Sequence, residues 1–355
     1  MPDNEKISIY IPQTLKTKLE EDAKLFEVCK PNSSNIILNQ YLGRVILGYY
    51  DQYDAETQKE VQRVANILKD QVKTTVKSKA GKTETRTTVV ENIELLSRKI
   101  VQSSISLQGS GVGKKNARLA LKPTKATASV IEDIMDTYRD DSASNVFVCL
   151  FKRFLNNPSY IREQIIYKEK YETLKTAIEL HQPIAFTHTK TGNDIHTVYP
   201  YLLTTSTEEL FNYLLCAEYD SEGVLKARSY RICRIADFRA IRSEISLTET
   251  VRGYLENMAK YGPAYEINDD EECTVFLTGD GHRAYGMIYS QRPPYSEIEE
   301  VEGGYIYHFM CSEEHVERYF RRFNAGQAVV LKPEGLREKI MNHHRSILNK
   351  YKETL

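Results

Sequence analysis

Residues 211–235 read FNYLLCAEYDSEGVLKARSYRICRI, which is two strand-like runs joined by a turn. The first run, 211–219, is rich in the apolar and aromatic residues that favour strands, and Asp220-Ser-Glu-Gly223 has the composition of a tight turn. The second run, 227–235, contains three arginines spaced three apart. Alternation along an extended strand predicts that one face carries Arg228, Tyr230, Ile232 and Arg234 and the other carries Ser229, Arg231 and Cys233.

The chain before this hairpin also contains short predicted strands joined by a turn. We predict a helix over residues 160–180 and strands over 181–188 and 196–203. The sequence Thr191-Gly-Asn-Asp194, which is typical of turns, separates the two strands. Several short strands with tight turns over about seventy residues predict a small, curved, barrel-like sheet.

These strands resemble the WYL domain. The matching pieces are Pro-Ile-x-Phe at 183–186, Val-Tyr-Pro at 198–200, Asn212-Tyr213-Leu214 and the arginine-containing run at 228–235. The resemblance implies a small Sm-like β-barrel that senses nucleic acid or another negatively charged ligand. Asn212 stands where the family has tryptophan, a residue that this chain lacks. Any stacking role therefore falls to tyrosines such as Tyr213 or Tyr230.

Residues 284–340 resemble the C-terminal extension that often follows WYL domains. The segment 264–320 around its tyrosine-rich strands has three basic against thirteen acidic residues, which does not suit a polyanion. The resemblance implies that this region contributes to dimerisation. We therefore expect a homodimer, which would double the number of basic sites.

The resemblance makes Tyr213, Arg228 and Arg234 the predicted ligand side, because two guanidinium groups and a ring suit a phosphate with its base. Arg231 is predicted to face a second surface or a structural carboxylate. The alternative is that the arginines form exposed ion pairs, with Asp220, Glu222 and Asp237 as their partners. The sheet residues predicted to bind nucleic acid are Tyr213, Arg228, Tyr230, Arg231, Arg234, His188 and Tyr199.

The first half of the chain contains a repeat. Lys6-Ile-Ser-Ile-Tyr-Ile-Pro12 reads as a strand, followed by one helix and by a second that runs to about Tyr50, an order that resembles the ribbon-helix-helix family. Ala117-Arg-Leu-Ala-Leu-Lys-Pro123 repeats the strand, and Ser144-Asn145 repeats Ser34-Asn35 at the same offset. We predict that the two strands pair within the chain. Outward positions would then be Lys6, Ser8, Tyr10, Arg118, Ala120 and Lys122, able to contact phosphates or bases. The alternative is two unrelated helical hairpins, each with a leading strand.

Helices are predicted over 55–72 and 88–101 between the two copies, with a loop over 74–88 that turns near Ala80-Gly81. Residues 60–130 contain fourteen basic against five acidic residues, which suits either phosphate contact or a solvated loop without a ligand. Gly109-Ser-Gly-Val-Gly-Lys-Lys115 lacks the glycine and the hydroxyl residue that a phosphate-binding P-loop needs.

Composition limits the function classes. The 355 residues include 41% apolar side chains, and 48 basic balance 49 acidic ones. No apolar run approaches the ~20 residues that span a bilayer, and six scattered cysteines fit a reduced, cytoplasmic protein. Cys311, His315, His343 and His344 lack metal-ligand spacing, and no nucleophile lies beside a candidate base. We therefore expect no enzyme activity, no metal and no cofactor.

The sequence predicts an α+β protein. Its predicted parts are a ribbon-helix-helix first half (1–50), a basic helical insert (51–115), a ribbon-helix-helix second half (116–165), a WYL domain (166–245) and a dimerisation-type domain (246–355). This order is similar to that of the WYL accessory proteins of type VI-D CRISPR systems. The resemblance implies binding of single-stranded RNA and an RNA-targeting effector nuclease as functional partner. The alternative is a DNA-binding transcription regulator with a WYL ligand-sensing domain.

Overall fold

The computed structural model describes residues 6–30, 33, 35–76, 83–107, 117–139, 142–190, 194–206, 211–242, 245–268, 272–289, 292–324 and 326–354. The chain forms two compact units, residues 1–168 and 169–355. Helices and antiparallel sheets occur together in the chain, which confirms the predicted α+β class.

The first unit is built around a two-stranded ribbon. Its strands are β1 (Ile7–Ile11) and β2 (Ala117–Leu121), and its helices are α1 (Gln13–Leu25), α2 (Leu38–Val76), α3 (Thr83–Leu107), α4 (Lys125–Thr137), α5 (Ala143–Asn156) and α6 (Ser159–Ile166). The strands pair in antiparallel register, with Ile9 opposite Leu119. Leu119 is also the counterpart of Ile9 in the sequence repeat, so the register is that of a ribbon with twofold pseudosymmetry. The predicted pairing within the chain is confirmed.

Side chains from the following helices hold the ribbon in place. Asn39, at the start of α2, accepts a hydrogen bond from the backbone N–H of Lys122 (2.7 Å) and donates one to its carbonyl (3.1 Å). Ser144, in the first turn of α5, accepts one from the backbone N–H of Tyr10 (2.9 Å). These bonds satisfy backbone groups that a two-stranded ribbon leaves without a ladder partner. The inward faces of both strands are buried, with Ile9 and Leu121 at most 1% exposed.

Helix α2 is longer than the helix that we predicted from the sequence. The prediction that it ends near Tyr50 and that a second helix covers 55–72 is wrong, because α2 continues to Val76. No proline or glycine interrupts residues 49–76. Continuing the helix also buries Tyr53 and Thr57, and Tyr53 lies 6.2 Å from the ring of Tyr138. The predicted loop over 74–88 is wrong at both ends, because residues 74–76 belong to α2 and α3 begins at Thr83, before the helix predicted over 88–101. Ala80-Gly81 and the glycine-rich stretch at 109–115 lie outside the described residues.

The predicted helix over 160–180 is two helices, α6 and α7 (Lys168–Glu179). The chain leaves helical geometry at Tyr167, whose backbone has φ −114° and ψ 29°. Its hydroxyl donates a hydrogen bond to the Phe26 carbonyl (2.6 Å), which ties the end of α6 to the end of α1. Gly48 lets α6 approach closely, because a β-carbon there would lie 2.3 Å from the Ile165 carbonyl oxygen.

The second unit contains a five-stranded antiparallel sheet. Its strands are β3 (Ile184–His188), β4 (Ile195–Ser206), β5 (Phe211–Tyr219), β6 (Leu225–Arg231) and β7 (Ile235–Ala240), arranged in the order β6-β5-β4-β3-β7. Helix α8 (Glu249–Tyr261) covers one face, where Leu255 and Met258 pack with Leu215 and Ala217. Apolar side chains on every other residue of β5 therefore form this core.

A second antiparallel sheet follows, in the order β11-β8-β10-β9. Its strands are β8 (Cys273–Thr278), β9 (Glu297–Val301), β10 (Gly304–Phe309) and β11 (Ala328–Lys332), and its helices are α9 (Gly279–Met287), α10 (Glu313–Phe320) and α11 (Glu334–Thr354). Tyr285, Phe309, Tyr319 and Phe320 contribute large rings to its core. Tyr285 and Tyr307 of this tyrosine-rich region are therefore packing residues, whereas Tyr289 and Tyr295 are 70% and 47% exposed.

Candidate nucleic-acid interface

The outward face of the ribbon is exposed and basic. Lys6, Arg118 and Lys122 are exposed, and Tyr10 is 49% exposed. Arg118 donates hydrogen bonds from Nε (3.1 Å) and Nη2 (2.8 Å) to the hydroxyl of Ser8. Among its described residues, this face contains three positive side chains, one aromatic ring and no carboxylate. It has the composition of a phosphate-contacting surface.

The hairpin of β5 and β6 separates residues that the sequence placed together. Tyr213 lies opposite Arg231, whereas Cys216 lies opposite Arg228. Directly opposite residues of an antiparallel pair share a face of the sheet. Tyr213 and Arg228 are therefore on different faces, and the predicted pocket of Tyr213, Arg228 and Arg234 is wrong. The five-residue connection between the strands, 220–224, sets this register and was the signal that could have revealed it.

Arg234 does not follow the predicted alternation, because β6 ends at Arg231. Residues Ile232–Arg234 form a 3₁₀ turn in which Ile232 is buried. Lys170 donates to the carbonyls of Ile232 (3.1 Å) and Ile235, and the backbone N–H of Thr189 donates to the carbonyl of Arg234 (2.9 Å). The turn is thus anchored through its carbonyl groups, and Arg234 belongs to neither strand face.

One face of the hairpin forms what we call the Arg231 surface, made of Phe211, Tyr213 and Arg231. The guanidinium carbon of Arg231 lies 3.5 Å from the centroid of the Phe211 ring. Its Nε and Nη2 atoms are buried and have no hydrogen-bond partner among the described residues. A buried, unsatisfied donor on a charged group costs free energy, which an acceptor that enters as the covering side chains move would recover. The sequence predicted that Arg231 faces either a second surface or a structural carboxylate. No carboxylate pairs with Arg231 in the described part of the chain.

Phe211 was missed by the sequence prediction, although it completes this surface. A guanidinium stacked on a ring can offer its edge to a phosphate, while the ring environment suits a base. Phe211 begins β5 and therefore lies on the same face as Tyr213, two residues later. The period of two along the strand was the signal available in the sequence.

The opposite face forms what we call the polar face, made of His188, His196, Glu218, Arg228 and Tyr230. Nδ1 of His196 lies 2.9 Å from Oε1 of Glu218 and 3.0 Å from the hydroxyl of Tyr230. The Tyr230 hydroxyl donates to Oε2 of Glu218. Burial, followed by this hydrogen bond, raises the pKa of Tyr230 well above its usual value, so the phenol is neutral. The His188 ring lies 6.0 Å from that of Tyr230.

Arg228 is already paired on this face. Its Nη1 donates to Oε2 of Glu266 at 2.7 Å, and both side chains are about one-third exposed. Oε1 of Glu266 also accepts from the backbone N–H of Ser229 (3.2 Å). The ion-pair alternative therefore holds for Arg228, although with a partner that the sequence did not indicate. Asp220 instead accepts from the backbone of its own turn, which lowers its pKa.

Tyr199 lies on the same face as Ala217, its cross-strand neighbour, and packs against the core beneath α8. Its contacts in the structure are those of a residue that packs in the core.

Within the described residues, no three His, Cys, Asp or Glu side chains come together as metal ligands. Among the same residues, no helix has the length and hydropathy required to span a bilayer.

No protein-family model and no curated protein matches this chain. Among solved structures, the fold is similar to one described as the crystal structure of a CRISPR Cas-related protein, with a TM-score of 0.66 and 15% identity. That match covers 99% of this chain and 95% of the other. Proteasome accessory factor B/C (PafBC) of Arthrobacter aurescens matches at a TM-score of 0.27 and 13% identity, over 72% of this chain and 44% of the other. The first match shows a shared fold over nearly the whole length of both chains.

Proposed function

We propose that this protein is a CRISPR accessory protein that binds single-stranded RNA and acts with an RNA-targeting effector nuclease of the type VI-D kind. The full-length similarity in fold to a CRISPR Cas-related protein supports the CRISPR context. In this proposal the first unit is a ribbon-helix-helix module completed within one chain. The five-stranded sheet is a WYL domain of the Sm-like type.

The observation that carries the RNA proposal is the Arg231 surface. Two buried guanidinium donors without partners lie against the Phe211 ring, with Tyr213 beside them. Single-stranded RNA exposes both its phosphates and the faces of its bases, whereas a duplex hides the bases in its stack. A guanidinium edge and the partly exposed ring of Phe211 therefore suit a single strand better than a duplex, while Tyr213 is buried beside them.

Replacing Arg231 with Gln tests the proposal. We expect the affinity for single-stranded RNA to fall at least about tenfold, because a charge-assisted contact is lost. The measurement is fluorescence anisotropy of labelled single-stranded RNA, duplex RNA and duplex DNA at several salt concentrations. Arg239→Gln, an exposed position on β7, is the matched control. Unchanged RNA affinity in the Arg231 variant would move the site elsewhere.

A DNA-binding regulator is the second candidate, and the outward face of the ribbon favours it. Paired strands with exposed basic side chains can enter the major groove of a duplex. The same titration separates the two functions. Tight, salt-sensitive binding to duplex DNA that Arg118→Ala weakens, without binding to single-stranded RNA, would support the regulator and contradict the RNA proposal.

The partner assignments belong to the same proposal. An effector nuclease with which the protein acts should cleave its target RNA faster when the protein is present.

A homodimer is supported by α11, on which the apolar side chains of Leu348 and Tyr351 are 55% and 70% exposed. Light scattering of the intact chain gives the mass of the assembly directly.

A further inference from the structure

A cavity of about 900 Å³ lies in the second unit. It is bounded by the end of α8 and the segment that follows it, and by residues of α9, β10 and α10. No residue of the Arg231 surface lines it, and none of the polar face does. Its volume is in the range of sites for small molecules, about 300–1,000 Å³.

The charge of the cavity differs from that of its surroundings. The described residues that line it include Lys260 and Arg292 but no aspartate or glutamate. The segment 264–320, which supplies much of the wall, has three basic against thirteen acidic residues. Neither Lys260 nor Arg292 pairs with a carboxylate among the described residues. A cationic lining inside an acidic region selects for an anionic ligand.

Aromatic rings make up much of the remaining wall. The Tyr295 ring is perpendicular to that of Tyr307 (5.2 Å, 89°), and Tyr295 is 47% exposed. The hydroxyl of Tyr307 lies 2.8 Å from Nδ1 of His282. Burial raises the pKa of Tyr285 and of Tyr307, so both phenols are neutral and add no negative charge. Tyr285 and Tyr307 are buried, so the half-exposed ring of Tyr295 is the one that offers a face on which a flat heterocycle can stack.

Arg292 lies where the charge and the rings meet. Its guanidinium carbon is 5.4 Å from the centroid of the Tyr285 ring and 4.9 Å from that of Tyr289. One of its nitrogens donates to the Tyr285 carbonyl (3.4 Å), which fixes its direction. A planar guanidinium held in this way retains further donors for the oxygens of a phosphate.

We propose that this cavity binds a nucleotide, with its phosphate at Arg292 and Lys260 and its base against the exposed ring of Tyr295. The nucleotide is either a free mononucleotide or the terminal nucleotide of an RNA strand. The cavity and the Arg231 surface share no residue, although Ser206 of the cavity wall lies opposite Phe211 in the pairing of β4 with β5. Because different side chains would bind in each, the cavity can bind a nucleotide whether or not the Arg231 surface binds RNA.

Gly286 provides a test that does not depend on removing a charge. It lies on α9 and lines the cavity, and a β-carbon added there would meet no atom within 4 Å. Gly286→Phe should therefore place a ring at the wall of the cavity with little disturbance of the backbone. Gly286→Ala adds one methyl group and is the matched control. For Arg292→Gln the control is Arg283→Gln, an exposed residue of α9 that pairs with Asp280 and does not line the cavity.

The experiment is calorimetric titration of the intact chain with the four nucleoside 5′-monophosphates, the matching nucleosides, inorganic phosphate, and short RNA strands with and without a 5′-phosphate. We expect a monophosphate or a phosphorylated strand to bind, and which of the two binds identifies the source of the nucleotide. Arg292→Gln should weaken binding at least about tenfold. Gly286→Phe should abolish it, and both control variants should retain it.

Three outcomes would overturn the proposal. One is the absence of binding by every monophosphate and phosphorylated strand at millimolar concentration. Another is equal affinity for inorganic phosphate, which would leave no role for the rings. The third is undiminished nucleotide binding by a Gly286→Phe variant that is folded by circular dichroism. Arg231→Gln should not alter binding in the cavity, which keeps this test distinct from that of RNA binding.

Discussion

Single side chains decide which arginine is available to a ligand. Arg228 and Arg231 lie three residues apart, yet Arg228 is neutralised by Glu266 while Arg231 keeps two buried donors without partners. Glu266 lies 38 residues further along the chain from Arg228, so no local pattern announces the pair. The sequence could predict that the arginines divide between two faces, but only the fold shows which of them is paired.

Removing the charge of Glu266 should free Arg228. We expect Glu266→Gln to raise the affinity for single-stranded RNA by up to about fivefold, because an ion pair whose partners are about one-third exposed is worth up to about 1 kcal/mol. Glutamine retains an oxygen that can accept from the Ser229 backbone, so the fold should persist. The measurement is the anisotropy titration, with Glu222→Gln as an exposed control in the hairpin turn. Weaker RNA binding by the Glu266 variant would contradict this prediction.

His308 should make the stability of the second unit depend on pH. The hydrogen bond to Glu272 (2.8 Å) raises the pKa of His308, and Glu299 (3.0 Å) adds to the effect. Because the folded-state pKa is raised, the stabilisation is complete below the unfolded value of about 6.5 and is lost as pH rises through the folded-state value.

His308→Gln should therefore lower the melting temperature more at about pH 6 than at about pH 9. Thermal unfolding followed by circular dichroism measures the difference. His343→Gln, on α11, is the control and should show no such dependence. An equal loss at both pH values would mean that His308 acts through packing alone.

At the scale of elements, the ribbon follows the sequence closely, whereas the helix boundaries do not. Alternation of Ile7, Ile9 and Ile11 with polar residues, and the proline after the strand, predict β1 within one residue. The length of α2 was not predictable in the same way, because tertiary burial of Tyr53 and Thr57 favours continuing the helix. The break between α6 and α7 likewise depends on the contact of Tyr167 with α1.

Truncating Ile9 should disrupt the ribbon and its core together. Ile9 is fully buried and lies opposite Leu119 at the centre of the pairing. We expect Ile9→Ala to lower the free energy of unfolding by about 2–5 kcal/mol, because it leaves a cavity between the strands and the helices. Urea denaturation measures this loss. Ala120→Ser, at an exposed position of β2, is the control, and a similar effect of both substitutions would argue against a packed ribbon.

At the scale of the whole molecule, the repeat has a consequence for assembly. Ribbon modules of this kind ordinarily need a second chain to supply the partner strand, but here both strands belong to one chain. Ile9 pairs with Leu119, its counterpart in the repeat, so the ribbon is complete within one chain and needs no strand from another copy. Dimerisation of the intact chain is therefore not required for the ribbon to form.

A fragment of residues 1–168 should fold as a monomer. The fragment is a compact unit with both ribbon strands and its own core. We expect a helical circular dichroism spectrum, cooperative melting and the mass of a single chain by light scattering. A fragment that is folded but obligately dimeric, with its melting temperature dependent on concentration, would indicate strand exchange between chains instead.

The sequence by itself determined the α+β class, the strand repeat and its pairing, and four of the five strands of the second unit's first sheet, because each depends on local alternation, turns and breakers; β7 was not predicted. Only the tertiary structure decided which side chains share a site. The connection at 220–224 set the register that joins Tyr213 to Arg231, the 3₁₀ turn removed Arg234 from the strand, and distant Glu266 neutralised Arg228. Side-chain partnership depends on register and on contacts between remote segments, and these follow from the packing of the whole chain.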